Sequence, residues 1–334
     1  MSDQRRSIDI HAHFYPEAYL RLIEKHGARY SAGCDMSNPD EFVIDTGGQL
    51  VPPLPRRFMD IDMRVAEMDE VGVGVHALSL TLPMVGFAHD EFALQLCEAF
   101  NDSCVEAHQK YPDRLFGFAA LPWHLPDLAC KELDRIAGFP GIKGAYSATR
   151  IIDRELDNEA FFPIYERLEN LGLHLFLHPV QVIDPKRLQS YYLTNLLGNP
   201  FESAIAASHL IFGGVLDRFP RLEVCLPHAG GAFPYLVGRL DHGSRVRPEN
   251  KHMTKHPFEY LRRFHYDTIS HSADALEYLI KIVGSDRVMM GSDYCFDMGH
   301  EHPVEVVTGH PTLKEEDQQN ILCGNAERLL NLSG

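Results

Sequence analysis

Two histidines near the start of the chain have a spacing that suits metal binding. Residues 8–14 form a mostly apolar run that contains the pattern His-x-His. Side chains two residues apart on a β-strand leave the same face, so a strand here aims His11 and His13 side by side at its C-terminal end. Imidazole is the commonest protein ligand for divalent ions, and a catalytic site needs about three or four ligands with one open position. A solvated pair of histidines is the alternative, so the prediction depends on further ligands.

Later apolar runs also end in residues that can bind a metal. The run 173–179 contains His178, the run 222–228 ends in His228, and the run 288–293 ends in Asp293. If these runs are strands of one parallel barrel, their C-terminal ends meet at one mouth, where barrel enzymes carry their active sites. We therefore expect three imidazoles and one carboxylate to converge on a single metal, namely those of His11, His13, His178 and Asp293.

The fold prediction comes from the alternation of apolar runs with helix-patterned segments, which is typical of repeated βα units. Eight such runs predict a TIM (β/α)8 barrel in the α/β class. A doubly wound sheet is the alternative, but it rarely has eight parallel strands and usually opens with a glycine-rich turn, which does not follow Ile10. The predicted strands are 8–13, 73–80, 115–121, 141–147, 173–179, 222–228, 264–270 and 288–293, and the predicted helices are 60–71, 91–110, 125–138, 159–171, 204–219, 233–239, 273–283 and a pair after Leu313.

The connection after the first strand is long. Residues 14–59 exceed the usual length of such a connection, and long connections are usually functional. This segment holds Gly47-Gly48 and a proline-rich and arginine-rich run, 51–57. We interpret it as a flap or small insertion over the barrel mouth. No linker interrupts the chain, so residues 1–334 are predicted to form a single barrel domain.

Composition limits the classes of partner. The chain is 45% apolar and 23% charged, as in ordinary globular proteins, and its formal net charge of −16 disfavours nucleic acid. An anionic substrate would then need a locally positive pocket. The seven cysteines are scattered, which argues against a disulfide framework. With no apolar signal region and no long apolar span, we expect a cytoplasmic protein that does not contact membranes.

The order of these motifs resembles the metal-dependent amidohydrolase superfamily, within it the decarboxylase branch typified by 2-amino-3-carboxymuconate-6-semialdehyde decarboxylase. The resemblance covers nearly the whole chain. Besides His11-Ala12-His13, it rests on Arg64 to Val73, Leu177-His178-Pro179, Gly213-Gly214-Val215 with Arg218-Phe219-Pro220, His228 to Phe233, Gly238-Arg239, Gly291-Ser292-Asp293-Tyr294 and Gly324-Asn325-Ala326.

This resemblance implies a function. It implies a non-oxidative decarboxylase of a small aromatic, heteroaromatic or muconate-semialdehyde-type carboxylate, with no organic cofactor. It makes the four residues named above the ligands of one divalent metal, expected to be Zn, with Mn, Co or Fe also suited to mixed nitrogen and oxygen ligands. His228 and Asp293 are the implied catalytic residues, and His228 would move a proton without binding the metal.

Other residues are implied with open alternatives. Arg239 matches an arginine that reaches across a homodimer interface to bind a substrate carboxylate, although a solvated arginine at a helix end fits equally well. Lys143 is a pocket charge or part of an ion pair inside the barrel, since it comes too early in its strand to bridge two metals. Asp267 matches an aspartate that orients His228 or the metal site. His174 has no counterpart and is expected to be packed.

The pocket departs from the family pattern. Pro52 stands where the family has a substrate-binding arginine, and Arg56 or Arg57 could replace it. Asn195 lies near the position of a pocket tryptophan in the family. The resemblance therefore predicts the metal chemistry, but it does not predict which carboxylate is the substrate. A hydrolase of a lactone, amide or C–C bond is the alternative enzyme, and a non-catalytic metal-binding protein is the alternative from another class.

Overall fold

The computed structural model describes residues 7–46, 50–250 and 252–332. The Gly47-Gly48 pair of the predicted flap lies outside the described residues. In chain order the elements are β1 (Ile8–His13), α1 (Glu17–His26), β2 (Gly33–Asp35), β3 (Glu41–Asp45), β4 (Leu50–Pro55), α2 (Ile61–Glu70), β5 (Val75–Ser79), α3 (Glu91–Lys110), β6 (Leu115–Ala120), α4 (Pro126–Ile136), β7 (Ile142–Ala148), α5 (Phe162–Leu171), β8 (His174–His178), α6 (Asn199–Phe212), α7 (Val215–Arg218), β9 (Val224–Leu226), α8 (Phe233–Val246), α9 (Pro257–Tyr260), β10 (Phe264–Asp267), α10 (Ala273–Val283), β11 (Val288–Met289), α11 (Pro303–Thr308), α12 (Glu315–Gln319) and α13 (Asn325–Leu329).

Eight parallel strands form the barrel predicted from the sequence. Their order is β1-β5-β6-β7-β8-β9-β10-β11, and each predicted apolar run overlaps one of them, with β7 ending one residue beyond its predicted run. The first and last strands close the barrel, because the backbone N–H of Ile10 donates to the carbonyl of Met290 at 3.0 Å. Further along the same seam, the N–H of Asp293 donates to the carbonyl of His11 at 2.8 Å. The fold class, a TIM barrel with an insertion after its first strand, is confirmed.

A layer of aromatic rings fills the barrel below its C-terminal mouth. The rings of Phe118 and Phe176 lie 5.7 Å apart between centroids, and Tyr146 stacks on Phe176 at 5.8 Å. All three are buried. These rings come from neighbouring strands, where alternate residues point inward. The layer separates the two ends of the barrel interior.

The insertion contains more regular structure than the sequence suggested. It consists of α1 and a three-stranded antiparallel sheet in the order β2-β3-β4. Its aromatic residues pack on one another, since Tyr15 contacts Phe42 at 5.4 Å and Phe58 at 5.6 Å between ring centroids. Phe58 in turn lies 4.9 Å from Phe296, which lies 5.3 Å from the ring of His13. The insertion therefore packs against the side of the mouth that holds His13.

Two helix predictions were inaccurate in their bounds. The predicted helix 204–219 is two helices, because Gly213 and Gly214 interrupt the helical conformation between α6 and α7. Helix α6 also begins five residues earlier than predicted, at Asn199. Gly214 has a φ of 72°, a left-handed conformation that a glycine adopts without strain. Helix α8 continues to Val246, seven residues beyond its predicted end at 239. Among the described residues, none of the helices has the length and apolarity that a membrane span requires.

Candidate metal centre

Four side chains meet at the mouth of the barrel. His11 and His13 come from β1, His178 ends β8, and Asp293 follows β11. Their potential ligand atoms all lie within 4.8 Å of one another, and all four residues are buried. Nε2 of His13 is 3.2 Å from Nε2 of His11 and 2.8 Å from Oδ1 of Asp293. The structure thus gathers the four predicted metal ligands around one point.

In each of the three histidines Nδ1 has a hydrogen-bond partner, which leaves Nε2 free to bind a metal. Nδ1 of His11 is 2.8 Å from Oδ2 of Asp267, and Nδ1 of His13 is 3.2 Å from the hydroxyl of Ser79. Nδ1 of His178 donates to the carbonyl of Pro179 at 2.9 Å. These partners select the tautomer whose Nε2 lone pair faces the cluster. Nε2 of His178 is buried with no partner among the described residues, as expected of a ligand atom.

Burial keeps two of the imidazoles neutral. It lowers the pKa of His13 to about 4, although hydrogen bonding to Asp293 opposes the shift. Burial and the neighbouring imidazoles of His13 and His11 hold the pKa of His178 well below its usual 6.5. Burial would raise the pKa of Asp293, but His11 and the hydrogen bond with His13 outweigh it and place that pKa well below 3.8. His13 and His178 therefore offer nitrogen lone pairs and Asp293 offers a carboxylate. Burial would lower the pKa of His11, but the carboxylates of Asp293 and Asp267 outweigh burial and raise that pKa, so a bound ion would take the place of the His11 proton. This mixed nitrogen and oxygen set fits a divalent ion of the Zn, Mn, Co or Fe type.

The barrel seam holds the two ends of the cluster together. The carboxylate of Asp9 accepts from the N–H of His11 at 2.9 Å and from the N–H of Ser292 at 3.1 Å, and it also bonds the Ser292 hydroxyl. Asp293 has a φ of 62°, a left-handed conformation that costs a residue other than glycine about 1 to 3 kcal/mol. Asp9 thus ties the strand that carries His11 to the turn that presents Asp293.

His228 lies beside the cluster and is not among the four residues that form it. Its Nε2 is 3.7 Å from Oδ2 of Asp293, and its ring centroid is 5.4 Å from that of His178. His228 and Ala229 both have a φ of 55°. The carboxylate of Asp267 accepts from their backbone N–H groups at 2.9 and 2.7 Å. Asp267 therefore stabilises the strained turn that presents His228 and also contacts the ligand His11.

Arg64 contacts both chain segments that form the metal cluster. It is fully buried in α2, and its guanidinium donates to the backbone carbonyl of His13. The same guanidinium lies 4.5 Å from the ring centroid of Tyr294, the residue after the ligand Asp293. One cation thus contacts both segments that carry ligands. The sequence marked Arg64 only as part of a family motif.

Some predicted pocket residues lie beside the metal cluster. Asn195, His228 and Asp293 line one cavity of about 510 Å³. Arg57 lines a neighbouring cavity of about 560 Å³, behind Tyr294, where its guanidinium is 3.9 Å from Glu67. A role of Asn195 or Arg57 in substrate binding stays a prediction.

Other predicted residues lie away from this cavity. Arg56 donates to the carbonyls of Met36 and Asn38 at 3.1 and 3.2 Å, inside the insertion. Lys143 is near the start of β7, where its amino group lies over the ring of Phe116 at 5.8 Å, so it is at the opposite end of its strand from the mouth. Arg239 is exposed on α8. The structure therefore does not bring Arg56, Lys143 or Arg239 to the metal cluster of their own chain.

Sequence reasoning found Asp267 but missed the supporting contacts of Asp9, Ser79 and Arg64. Asp9 and Ser79 carry no motif of their own, and Arg64 reads as one charge on an amphipathic helix. A usable signal exists for Asp9, because it precedes His11 and His13 at two-residue spacing and so shares their strand face. Ser79 ends β5 beside β1, and its contact depends on the strand register, which a single sequence does not reveal.

Three imidazoles and a carboxylate at the mouth of a TIM barrel, with a further imidazole beside them, are typical of metal-dependent barrel enzymes. The profile of the family described as amidohydrolase matches residues 8–332. The chain belongs to the amidohydrolase family.

Relatives and solved structures are similar over nearly the whole chain. It is 32% identical to the 2-amino-3-carboxymuconate-6-semialdehyde decarboxylase of Dictyostelium discoideum, over 97% of this chain and 91% of that protein. A dihydroxybenzoic acid decarboxylase from Polaromonas, solved with manganese and the inhibitor 2-nitroresorcinol, superposes with a TM-score of 0.80 at 26% identity, covering 99% and 98% of the two chains. A 5-carboxyvanillate decarboxylase from Novosphingobium aromaticivorans, solved with manganese and 4-hydroxy-3-methoxy-5-nitrobenzoic acid, gives 0.81 at 26%, covering 99% and 97%.

Replacing Asp267 by asparagine should weaken metal binding. An amide cannot accept at once from Nδ1 of His11 and from the N–H groups of His228 and Ala229, so His11 loses its orientation. We expect Asp267→Asn to lower the affinity for the metal about 10- to 100-fold, measured by competition with a chelator.

A matched control for this variant is Asp217→Asn, which removes a carboxylate bound to Lys255 at 2.7 Å away from the mouth. It should keep the metal affinity of the unmodified protein. Equal affinity in the Asp267→Asn variant would show that Asp267 does not position His11 for the metal.

Proposed function

We propose that this protein is a metal-dependent, non-oxidative decarboxylase of a small aromatic, heteroaromatic or muconate-semialdehyde-type carboxylate. The observation that carries the proposal is the convergence of His11, His13, His178 and Asp293 with His228 placed beside them. The decarboxylase relatives named above support the same chemistry. A metal store would have no need of a non-ligand imidazole at 3.7 Å from the ligand carboxylate.

The four ligand residues would hold one divalent ion. Such an ion acts as a Lewis acid that lowers the pKa of a coordinated oxygen and neutralises negative charge on the substrate. Zinc is the ion that we propose from the sequence, and the manganese in two related structures makes manganese the alternative. Metal analysis of protein purified without added metal distinguishes the two.

His228 is proposed to move the proton that decarboxylation needs. Its Nδ1 is buried with no partner in the described part of the chain, and Nε2 faces Asp293, so the ring can hold or give up a proton at the mouth. A proton delivered to the carbon that bears the carboxylate converts it to a tetrahedral centre. The C–C bond then breaks, its electron pair returns to the ring or diene, and carbon dioxide leaves. The product keeps the proton, so the reaction needs no oxidant.

The residues that line the cavity favour a planar, apolar substrate with a few polar substituents. Besides Asn195 and His228, its lining includes the apolar residues Leu196, Tyr235 and Met298. Asn195 can donate to or accept from a ring substituent. We propose that Asn195 contributes to the choice among carboxylic acids.

The proposed activity is tested by carbon dioxide release. A panel of 2-amino-3-carboxymuconate-6-semialdehyde, a dihydroxybenzoate and 5-carboxyvanillate, each labelled at the carboxyl carbon, is incubated with the metal-loaded protein. We expect labelled carbon dioxide from at least one acid, lost on chelation and regained with added metal. Products that gain water without gas would support the hydrolase. Tight metal binding with no turnover of any acid would support a metal-binding protein.

Removing the imidazole of His228 should separate catalysis from metal binding. We expect His228→Asn to keep the metal content and to lower kcat about 10²- to 10⁴-fold, because a positioned acid or base is lost. The control is His209→Asn, which removes a histidine on α6 that is paired with Asp157. This variant should keep both the metal content and kcat. Loss of metal from the His228→Asn variant would show that His228 is a ligand.

A homodimer is part of the proposal. Two exposed apolar residues, Leu196 and Tyr235, line the cavity, and Tyr235, which is 83% exposed, lies one helical turn from Arg239. A second copy that covers this surface would bring Arg239 toward its partner's mouth. Further exposed apolar residues close to Leu196 in the chain are Tyr191, Tyr192, Leu197 and Phe201.

Mixed dimers test whether Arg239 acts across the interface. Arg239→Ala and Asp293→Asn are each expected to be inactive. When the two are co-expressed, a mixed dimer has one complete metal site that receives Arg239 from the other chain. Random pairing should restore about a quarter of the unmodified activity. No restoration, or a single chain by size-exclusion chromatography with light scattering, would exclude the role in the partner's site.

A further inference from the structure

A further cavity, of about 340 Å³, lies at the mouth of the barrel beside His178. Its lining includes Ala148, the last residue of β7, and Val180, which follows His178 by two residues. Ala148 and His178 are partners in the parallel pair of β7 and β8. Tyr146 stacks on Phe176 inside the barrel, and Ala148, two residues later, faces the interior as well. The cavity therefore adjoins the proposed metal site. We call it the lateral cavity.

Most of the lining of the lateral cavity is apolar or aromatic. Trp123 is buried, and its indole N–H donates to the carbonyl of Tyr146 at 2.9 Å, so its ring is held in place. Phe87, Ile151 and Val180 form further parts of the wall. Apolar walls with a few polar groups are typical of sites for small organic molecules. The lateral cavity can thus hold the aromatic ring or diene of the substrate class proposed above.

Arg150 is the cation of the lateral cavity. Among the described residues, it is the sole arginine or lysine that lines either this cavity or the cavity of Asn195 and His228. Arg57 lines the cavity behind Tyr294 instead. Because the chain carries a net charge of −16, an anionic substrate depends on local donors of this kind.

The guanidinium of Arg150 has one edge paired and one edge free. Its Nε lies 3.1 Å from Oε1 of Glu155, and its side chain is 41% exposed. Its two terminal amino groups are exposed and donate to no described residue. Glu202 is also near, but it accepts no hydrogen bond from Arg150. Glu155 thus orients the guanidinium and balances its charge, and the two free amino groups match the two oxygens of a carboxylate.

We propose that Arg150 binds a second carboxylate of the substrate, remote from the one that leaves. This inference rests on the proposed decarboxylase function and narrows its substrate class to dicarboxylates. The departing carboxylate would lie at the metal cluster and His228, and the conjugated frame would lie along the apolar wall. The Cα atom of Arg150 is at most about 7 Å from that of Ala148, the strand partner of His178, so a small substrate can reach both ends.

A nitro compound and its ester test the proposal. In 4-hydroxy-3-methoxy-5-nitrobenzoic acid the nitro group stands in for the departing carboxylate, and the acid group is the second carboxylate; the methyl ester removes only that charge. In calorimetric titrations of the metal-loaded protein, we expect the acid to bind at least about tenfold more tightly than the ester. Arg150→Gln should weaken the acid at least about tenfold and change the ester less than about twofold, because only the acid loses a charge-assisted pair of hydrogen bonds. Arg150→Lys should restore part of the loss.

The matched control is Arg167→Gln on α5. Nε of Arg167 lies 3.2 Å from Asp134 and its side chain is 37% exposed, so it resembles Arg150 in pairing and exposure. This variant should bind the acid as the unmodified protein does. Equal weakening of acid and ester by Arg150→Gln would mean that Arg150 only maintains the shape of the cavity. That result, equal binding of acid and ester, unchanged binding of the acid by Arg150→Gln, or no binding of the acid, would each overturn the proposal.

Carbon dioxide release separates this subsite from the proposed activity. Labelled carbon dioxide from a dihydroxybenzoate, which has one carboxylate, together with equal binding of acid and ester, would support the decarboxylase and overturn the subsite. Binding of the acid through Arg150 without turnover of any acid in the panel would support the subsite and overturn the activity.

Discussion

The carboxylate of Asp267 is the constraint on which the mouth of the barrel depends. It accepts from the ring of His11 at 2.8 Å and from the backbone of His228 and Ala229 at 2.9 and 2.7 Å. Burial would raise its pKa, but the hydrogen bond from His11 and the neighbouring imidazoles of His11 and His228 lower it, so it is ionised when it receives these donors. One buried charge therefore fixes His11, a proposed metal ligand, and the turn that presents the proposed proton carrier. The distance between His11 and His228 is therefore set by one carboxylate that contacts both, rather than by two independent loops.

The closing seam of the barrel explains why the ligands are so close. His11 and His13 lie on the first strand and Asp293 follows the last, and the seam bonds these segments directly. Asp9 and Arg64 strengthen the same seam from inside the barrel and from α2. Closure of the barrel and assembly of the metal site are thus one event. A chain that failed to close would lose the site along with the fold.

Much of this arrangement was predictable because it follows from local patterns. Each ligand ends an apolar run, and parallel strands bring such ends together, so the cluster could be predicted without a structure. The helix α1 and the sheet of the insertion were not predicted, because β2 and β3 are too short for a clear periodic signal and β4 contains three prolines, which are unusual inside a strand. The contact of Arg56 with two carbonyls was also beyond reach, since it depends on how the insertion folds on itself. The supporting role of Ser79 needed the register between strands.

The aromatic layer formed by Phe118, Tyr146 and Phe176 affects where substrate and products can enter and leave the barrel. The interior of such a barrel is a packed core and not a pore, and these rings fill part of it beneath the metal cluster. Substrate, carbon dioxide and product would therefore enter and leave at the C-terminal mouth. A neighbouring copy of the chain that covered this mouth would affect release as well as entry.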